Sequence, residues 1–318
     1  MSHFDVFNGD ADGIFALVQL RRETPKAATL ISGPKREIAL LARVSAGQGD
    51  SVTVLDISLD RNRGELQRLL NQGAQVHYVD HHYAGTIPAG VVADIDTDSR
   101  VCTSLLVDKQ LEGRQRLWAL AGAYGDNLIE VADALAIQSG LNQEQRRGLL
   151  HLGTLVNYNG YGRTLADLHF SPIELYRAIQ AYASPFALLA DANSPVATLA
   201  KALEADLARA KQLTPLVSTP NCLVVRLPDE AWVHRVNGVL ANRLANEGPQ
   251  RAVALVSELP EGALRISLRA PLARPQGADA LCRQFEGGGG RARAAGINAL
   301  PEAQLPRFIE RMQRAFGR

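Results

Sequence analysis

Phe4-Asp5-Val6-Phe7-Asn8-Gly9-Asp10-Ala11-Asp12-Gly13-Ile14-Phe15-Ala16-Leu17 is the stretch that decides the fold. Residues 4–8 have the apolar and aromatic character of a strand, and residues 12–22 carry apolar side chains at helical spacing. The turn between them, Asn8-Gly9-Asp10-Ala11-Asp12-Gly13, is rich in glycine and in side-chain oxygens. It lies where a strand ends and a helix begins, the edge at which open parallel sheets bind ligands.

Outward from that turn the alternation repeats. Residues 28–32, 51–58, 74–81 and 90–96 read as further strands, and residues 61–72 read as a crossover helix with Leu66, Leu69 and Leu70 on its apolar face. Strands alternating with helices imply a parallel α/β sheet. Residues 118–183 have a mostly helical pattern, interrupted by Asn157-Tyr158-Asn159-Gly160-Tyr161-Gly162, which reads as a loop. Ser194 and Pro195 then make a helix start, followed by Leu199, Leu203, Leu207 and Ala210 on one stripe before Pro215. Beyond it, strands at residues 222–227, 252–257 and 264–268 and a helix at 231–246 form a second, smaller α/β domain. The expected organisation is an N-terminal parallel α/β domain over residues 1–190, a helical linker over 191–218 and a C-terminal domain over 219–318. In the last helix Leu305, Phe308, Ile309, Met312 and Phe316 alternate with Arg307, Arg311 and Arg314, the pattern of a solvated face more than of a basic recognition helix.

The chain has 318 residues, enough for two domains at roughly 150 residues each. Its 34 Lys+Arg against 33 Asp+Glu leave a net charge of +1, which disfavours a binder of long nucleic-acid tracts and favours a small substrate. Cys102, Cys222 and Cys282 are too far apart for a thiolate zinc site and odd in number, so they read as buried thiols in a reducing compartment. No run reaches the roughly 18 to 20 apolar residues of a membrane span, and the first residues have no signal-peptide pattern, so the expected location is the cytoplasm.

Four segments carry candidate chemistry. Besides the first turn, Val54-Leu55-Asp56-Ile57-Ser58 and Val79-Asp80-His81-His82 each end an apolar strand in metal-ligating residue types, and Gly125-Asp126-Asn127 follows a helix. Taken singly, Asp12 reads as a helix N-cap, Asp56 as a turn former and Asp126 as a helix terminator. Their recurrence at successive strand ends is what points to a site. Carboxylates with imidazole suit borderline-hard divalent ions such as Mn2+, and two such ions can activate water against a phosphate ester. A fifth segment, Phe285-Glu286-Gly287-Gly288-Gly289-Gly290-Arg291, reads as a glycine loop leading into a small-residue helix. With Arg269 at the end of the preceding strand, it is a candidate anion cradle without the Lys-Ser/Thr of a P-loop.

Assembled in this order, the residues resemble the DHH phosphoesterase superfamily, in the branch with a DHH-associated C-terminal domain that includes RecJ-type exonucleases and nanoRNases. Asn8 through Gly13, Asp56, Asp80-His81-His82 and Asp126 resemble its four motifs; Ser267-Leu268-Arg269 and Gly288 through Gly296 resemble its second domain. The resemblance implies that Asp56 bridges two Mn2+ ions, with Mg2+ the other candidate. Asp10, His81 and Asp126 would complete one site and Asn8 would serve the other. It further implies that Asp80 orients His81, that His82 faces the scissile phosphate, and that Arg269, Gly288, Gly289, Gly290 and Arg291 hold the substrate's other end. Asn8 stands where most members have aspartate, no histidine occupies the usual place just upstream, and Arg291 stands where the loop has histidine. A neutral amide binds a cation more weakly, so either the second ion arrives with substrate or one ion suffices.

The expected activity is hydrolysis of short oligoribonucleotides or linear dinucleotides such as pGpG to mononucleotides. A RecJ-like single-strand exonuclease is the alternative, disfavoured by 5% aromatic content. A nucleotide-binding sensor that has lost catalysis is the third.

Overall fold

Alternating apolar runs in the first hundred residues fold as a parallel sheet because each crossover must return over one face. In the computed structural model, which describes residues 1–259 and 262–317, the strands are β1 (His3–Phe7), β2 (Thr29–Ile31), β3 (Ser51–Leu55), β4 (Gln75–Asp80) and β5 (Val91–Ile95). Their order is β2-β1-β3-β4-β5 and every pairing is parallel. All five strands expected from the sequence are present.

Two crossover helices, α1 (Ala11–Glu23) and α2 (Leu59–Asn71), lie on opposite faces. The α2 face buries Phe4, Val6, Val52, Val54, Val76 and Tyr78 against Leu66 and Leu69. On the other face α1 packs with α3 (Thr103–Gln110), α4 (Arg116–Gly125) and α6 (Gln143–Gly160), α5 (Ile129–Gln138) lying between the last two in sequence. Burial on both faces is why these strands read as near-continuous apolar runs. The chain leaves β1 toward β2 on one side and returns to β3 on the other, so the C-terminal ends of β1 and β3 flank a topological switch point, where a crevice opens at the sheet edge.

The Asn157–Gly162 segment differs from its reading as a loop. Asn157, Tyr158, Asn159 and Gly160 are the last turn of α6, and only Tyr161 and Gly162 lie outside it. Burial overrides the weak helix propensity here: Tyr158 and Asn159 are fully buried, and Asn159 Oδ1 accepts from His169 and Phe170 N–H at 3.1 Å each.

Helices α7 (Pro172–Gln180) and α8 (Pro185–Ala190) complete this region, followed by α9 (Pro195–Lys211), whose Ala197 N–H is capped by Ser194 Oγ at 3.1 Å. Two compact units, Met1–Ala202 and Leu203–Arg318, meet within α9 in sequence. In the second unit a mixed sheet runs β10 (Gly288–Arg291), β11 (Ala294–Pro301), β9 (Ala263–Arg269), β8 (Ala252–Glu258), β7 (Cys222–Leu227) and β6 (Val217–Ser218). Only the β7–β8 pairing is parallel, because α10 (Ala231–Glu247) connects them as a crossover. Residues 217 and 218, expected in the linker, therefore pair into the C-terminal sheet.

The helices α11 (Ala278–Cys282) and α12 (Leu305–Phe316) cover one face of that sheet, with Leu305, Phe308, Met312 and Phe316 in its core. On the outer side of α12, Arg314 pairs with Glu310 at 2.7 Å and Arg311 donates to Gln284 at 3.1 Å, as a solvated face would. Arg318, the expected last residue of the C-terminal domain, lies outside the described residues. All three cysteines are buried and free. Among the described residues, no helix is long and apolar enough to cross a membrane.

Candidate metal centre

Local backbone geometry sets each polar side chain at the sheet edge. Asn8 follows β1, and its N–H donates to Leu55 O at 3.2 Å, which carries the β1–β3 pairing to the edge. Gly9 is glycine because a Cβ there would collide with the Gly33 carbonyl oxygen, whose loop passes directly over the turn. Asp10, not Asp12, is the N-cap of α1: its backbone is extended and its Oδ1 accepts the Gly13 N–H at 3.1 Å. Asp12, in the first turn, instead accepts the N–H groups of Thr103 at 2.8 Å and Ser104 at 2.7 Å, at the start of α3.

Asp56 follows β3 in the left-handed region, with φ of 58°, an uncommon conformation for a non-glycine residue. Its N–H still donates to Val79 O at 3.1 Å, so the backbone continues the β3–β4 ladder as the side chain turns to the edge. Asp126 caps the C-terminus of α4. Asn127, with φ of 65°, donates to Tyr124 O at 3.1 Å, and Leu128 donates to Ala123 O at 2.9 Å, which together make a Schellman motif. Helix termination and delivery of a carboxylate are thus one feature.

The adjacent histidines have different partners. His81 Nδ1 lies 3.1 Å from Val101 O, and since a carbonyl only accepts, that nitrogen carries the proton. Nε2 faces the carboxylates, 3.4 Å from Asp56 Oδ1 and 3.9 Å from Asp12 Oδ2. Asp80 does not orient His81, as the resemblance implied. It holds His82, Oδ1 to Nδ1 at 2.7 Å, because residues two apart share a side of an extended chain.

The potential ligand atoms of Asp56, His81 and His82 lie within 4.8 Å of one another, as do those of Asp12, His81 and Asp126. Both groups meet at His81. A carbonyl-oriented imidazole whose Nε2 faces carboxylates is a donor set that fits a divalent cation. Asp12 was not assigned a ligand role from the sequence; its one signal was its place in the same turn as Asp10. Neither group contains Asp10.

Charge balance at this edge is uneven. Burial, reinforced by Asp10, Asp12, Asp80 and Asp126, pushes the Asp56 carboxyl well above the usual carboxylate range. Burial and Asp12 raise Asp126 to about 6, against the opposing pull of Lys35 and His81. Asp10 goes the other way: burial would raise it, but Lys35 outweighs burial and holds it low. Lys35 Nζ lies 2.6 Å from Asp10 Oδ2 and 4.0 Å from Asp126 Oδ1, and sits 5.3 Å from the centre of the Tyr161 ring. No local sequence pattern marks this lysine, which reaches the edge from the loop after β2.

In the C-terminal unit, Arg269 ends β9 and donates from Nε to Asn242 Oδ1 at 3.0 Å and from Nη1 to Ser267 Oγ at 3.3 Å. The glycine run is not a loop entering a helix. Gly288–Arg291 is β10, and the expected small-residue helix is β11, hydrogen-bonded between β10 and β9. Ala295 and Ile297 point inward with the two-residue period of a strand, which outweighs the helix propensity of alanine. At Gly288 a Cβ would collide with Cys282 O, and at Gly290 with the backbone of Ala295, whereas Gly289 faces open space. Gly288 is therefore required by the close approach of α11 and Gly290 by the hairpin, and among the described residues no helix starts directly after them to hold an anion.

Residues 219–318 match the DHHA1 domain family. Comparison with curated proteins finds no significant match. Among solved structures, exonuclease RecJ bound to manganese aligns over 98% of this chain and 89% of its own, at 18% identity and a TM-score of 0.57. The pGpG-specific phosphodiesterase PggH from Vibrio cholerae aligns over 99% of this chain and 100% of its own, at 14% identity and a TM-score of 0.57. RecJ from Thermus thermophilus, in complex with Mn2+, aligns at 21% identity and a TM-score of 0.54; it covers 98% of this chain, but the chain spans only 51% of that protein. Residues 219–318 are thus a DHHA1-family domain, and the chain as a whole has a fold like that of RecJ and PggH. Its two-domain order is shared with RecJ and PggH over nearly its whole length.

Proposed function

We propose that the chain is a Mn2+-dependent phosphodiesterase that hydrolyses linear dinucleotides of the pGpG type and short oligoribonucleotides to mononucleotides. The observation that carries this is that two groups of ligating side chains, Asp56 with His82 and Asp12 with Asp126, share His81 at the edge of a parallel sheet, in a chain that also carries a DHHA1 domain. A divalent ion held by these residues would supply charge neutralisation of the phosphoryl group and lower the pKa of bound water. Val101 O fixes the His81 tautomer that the ion requires. Asp80 locks His82 through Nδ1, leaving the other ring nitrogen to contact the phosphoryl oxygens. In the C-terminal unit Arg269, oriented by Asn242, offers a charge-assisted contact to a phosphate.

Preference for short substrates is supported by the net charge of +1, which gives little reward for extra phosphates, and by the full-length alignment with a protein described as pGpG-specific. The test is kcat/KM for RNA of two, three, five and twelve nucleotides at low and moderate salt. The dinucleotide should be best, with a shallow salt dependence. A rate that climbs with length and falls steeply with salt would instead assign a RecJ-like exonuclease.

A further inference from the structure

We infer that Lys35 is a resident cation of this site: its ammonium occupies the Asn8–Asp10 corner in place of a second divalent ion, and the chain takes up one ion, at His81. The inference rests on the reading of the strand ends as a divalent-metal site, and it departs from the two-ion arrangement that the sequence resemblance implies.

Both oxygens of Asp10 are already engaged, Oδ1 by the Gly13 N–H at 3.1 Å and Oδ2 by Lys35 Nζ at 2.6 Å. An ion at this corner would have to displace the ammonium from a buried, charge-assisted contact. Beside Asp10, Asn8 offers only a neutral amide, whose Oδ1 is buried without a hydrogen-bond partner. Compared with a corner bearing aspartate at position 8 and an uncharged residue at 35, the present pair is more positive by two charges, which equals the charge of one divalent ion. The difference is therefore of the right size to replace an ion electrostatically.

Lys35 is held there by construction. Its backbone N–H donates to Gly160 O at 2.8 Å at the end of α6, and its carbonyl lies 3.5 Å from Asn8 Nδ2. The C-terminal end of that 18-residue helix carries partial negative charge, which favours a cation beside it. Asn157 Oδ1 lies 3.5 Å from Nζ, and the Tyr161 ring offers its face at 5.3 Å. A flexible surface lysine would have none of these contacts.

The experiment counts Mn2+ bound per full-length chain, by titration calorimetry and by metal analysis after gel filtration, without substrate. The wild type should bind one ion. Asn8→Asp/Lys35→Met should bind two, while Lys35→Arg, which keeps the charge, should stay at one. Two ions on the wild type, or a double variant that melts like the wild type yet still binds one, would overturn the inference. No ion on any form would overturn it together with the metal-site reading. One ion on the wild type and two on the double variant, without dinucleotide cleavage by the wild type, would sustain the inference and refute the proposed activity, so the two failures are distinguishable.

Discussion

The two ends of β1 bury charge in opposite ways. At its start, His3 and Asp5 meet Arg21 of α1: Arg21 Nε and Nη2 grip the Asp5 oxygens at 2.8 and 2.5 Å, and His3 Nε2 lies 2.9 Å from Asp5 Oδ1. Burial alone would raise the Asp5 carboxyl, but its bonds to Arg21 and His3 outweigh burial and keep it below 3.8. Beyond the other end, Asp10, Asp12, Asp56, Asp80 and Asp126 crowd together with Lys35 among them, and Asp56 and Asp126 are raised. Asp5 and Asp56 are almost equally inaccessible, at 1% and 2% exposure. Burial therefore does not separate scaffold from site, but charge matching does. A matched buried charge holds the sheet to its helix, and an unmatched set is poised for a cation.

The largest expected effect comes from breaking the unmatched end. Asp56→Asn should reduce phosphodiester turnover by more than about 100-fold and lower Mn2+ affinity, since losing even an outer partner of a metal ligand costs roughly 10- to 100-fold. Its melting temperature without metal should hold or rise, because a crowded carboxyl has been removed. Unchanged turnover and metal content would refute the assignment.

At the matched end the expectation inverts. Arg21→Met leaves the buried Asp5 carboxylate with only His3 beside it, so stability should fall by up to about 3–5 kcal/mol while Mn2+ stoichiometry is kept. Because the folded pKa of Asp5 is depressed, its contribution is fully present above its ordinary value of 3.8 and is lost as pH falls through the lower folded value. Denaturant melts from pH 5 downward should therefore show an acid-sensitive component in the wild type that Arg21→Met lacks. Equal acid slopes would remove the matched pair from the account.

Smaller effects sharpen the comparison. Asp80→Asn should lower kcat by roughly 10- to 100-fold through misoriented His82, with metal affinity little changed because His81 is held by Val101 instead. Equal losses of metal binding in Asp80→Asn and His81→Ala would return Asp80 to the role first expected for it. Smallest is Arg269→Ala, which should raise KM by about tenfold at nearly constant kcat, the cost of one hydrogen bond to a charged group. An unchanged KM would take Arg269 out of substrate binding.

The sequence by itself determined the parallel sheet, its crossover helices and the position of each candidate residue at a strand or helix end. These follow from apolar periodicity and from local rules for caps and turns, which act over a few residues. The Asn8-Gly9-Asp10 turn, the Asp56 and Asp80-His81-His82 strand ends and the Asp126 helix stop were all legible for that reason. Tertiary structure decided what no local rule encodes. It gave Asp80 to His82 and His81 to Val101, and it turned the small residues after Gly290 into a strand because β9 was there to pair with them. It also brought Lys35 to Asp10, 25 residues away in sequence, through a loop whose approach depends on Gly9 and on the end of α6. Which carboxylate meets a cation is settled by long-range packing, because the cost of a buried charge depends on every neighbour within a few ångströms and not on its neighbours in the chain.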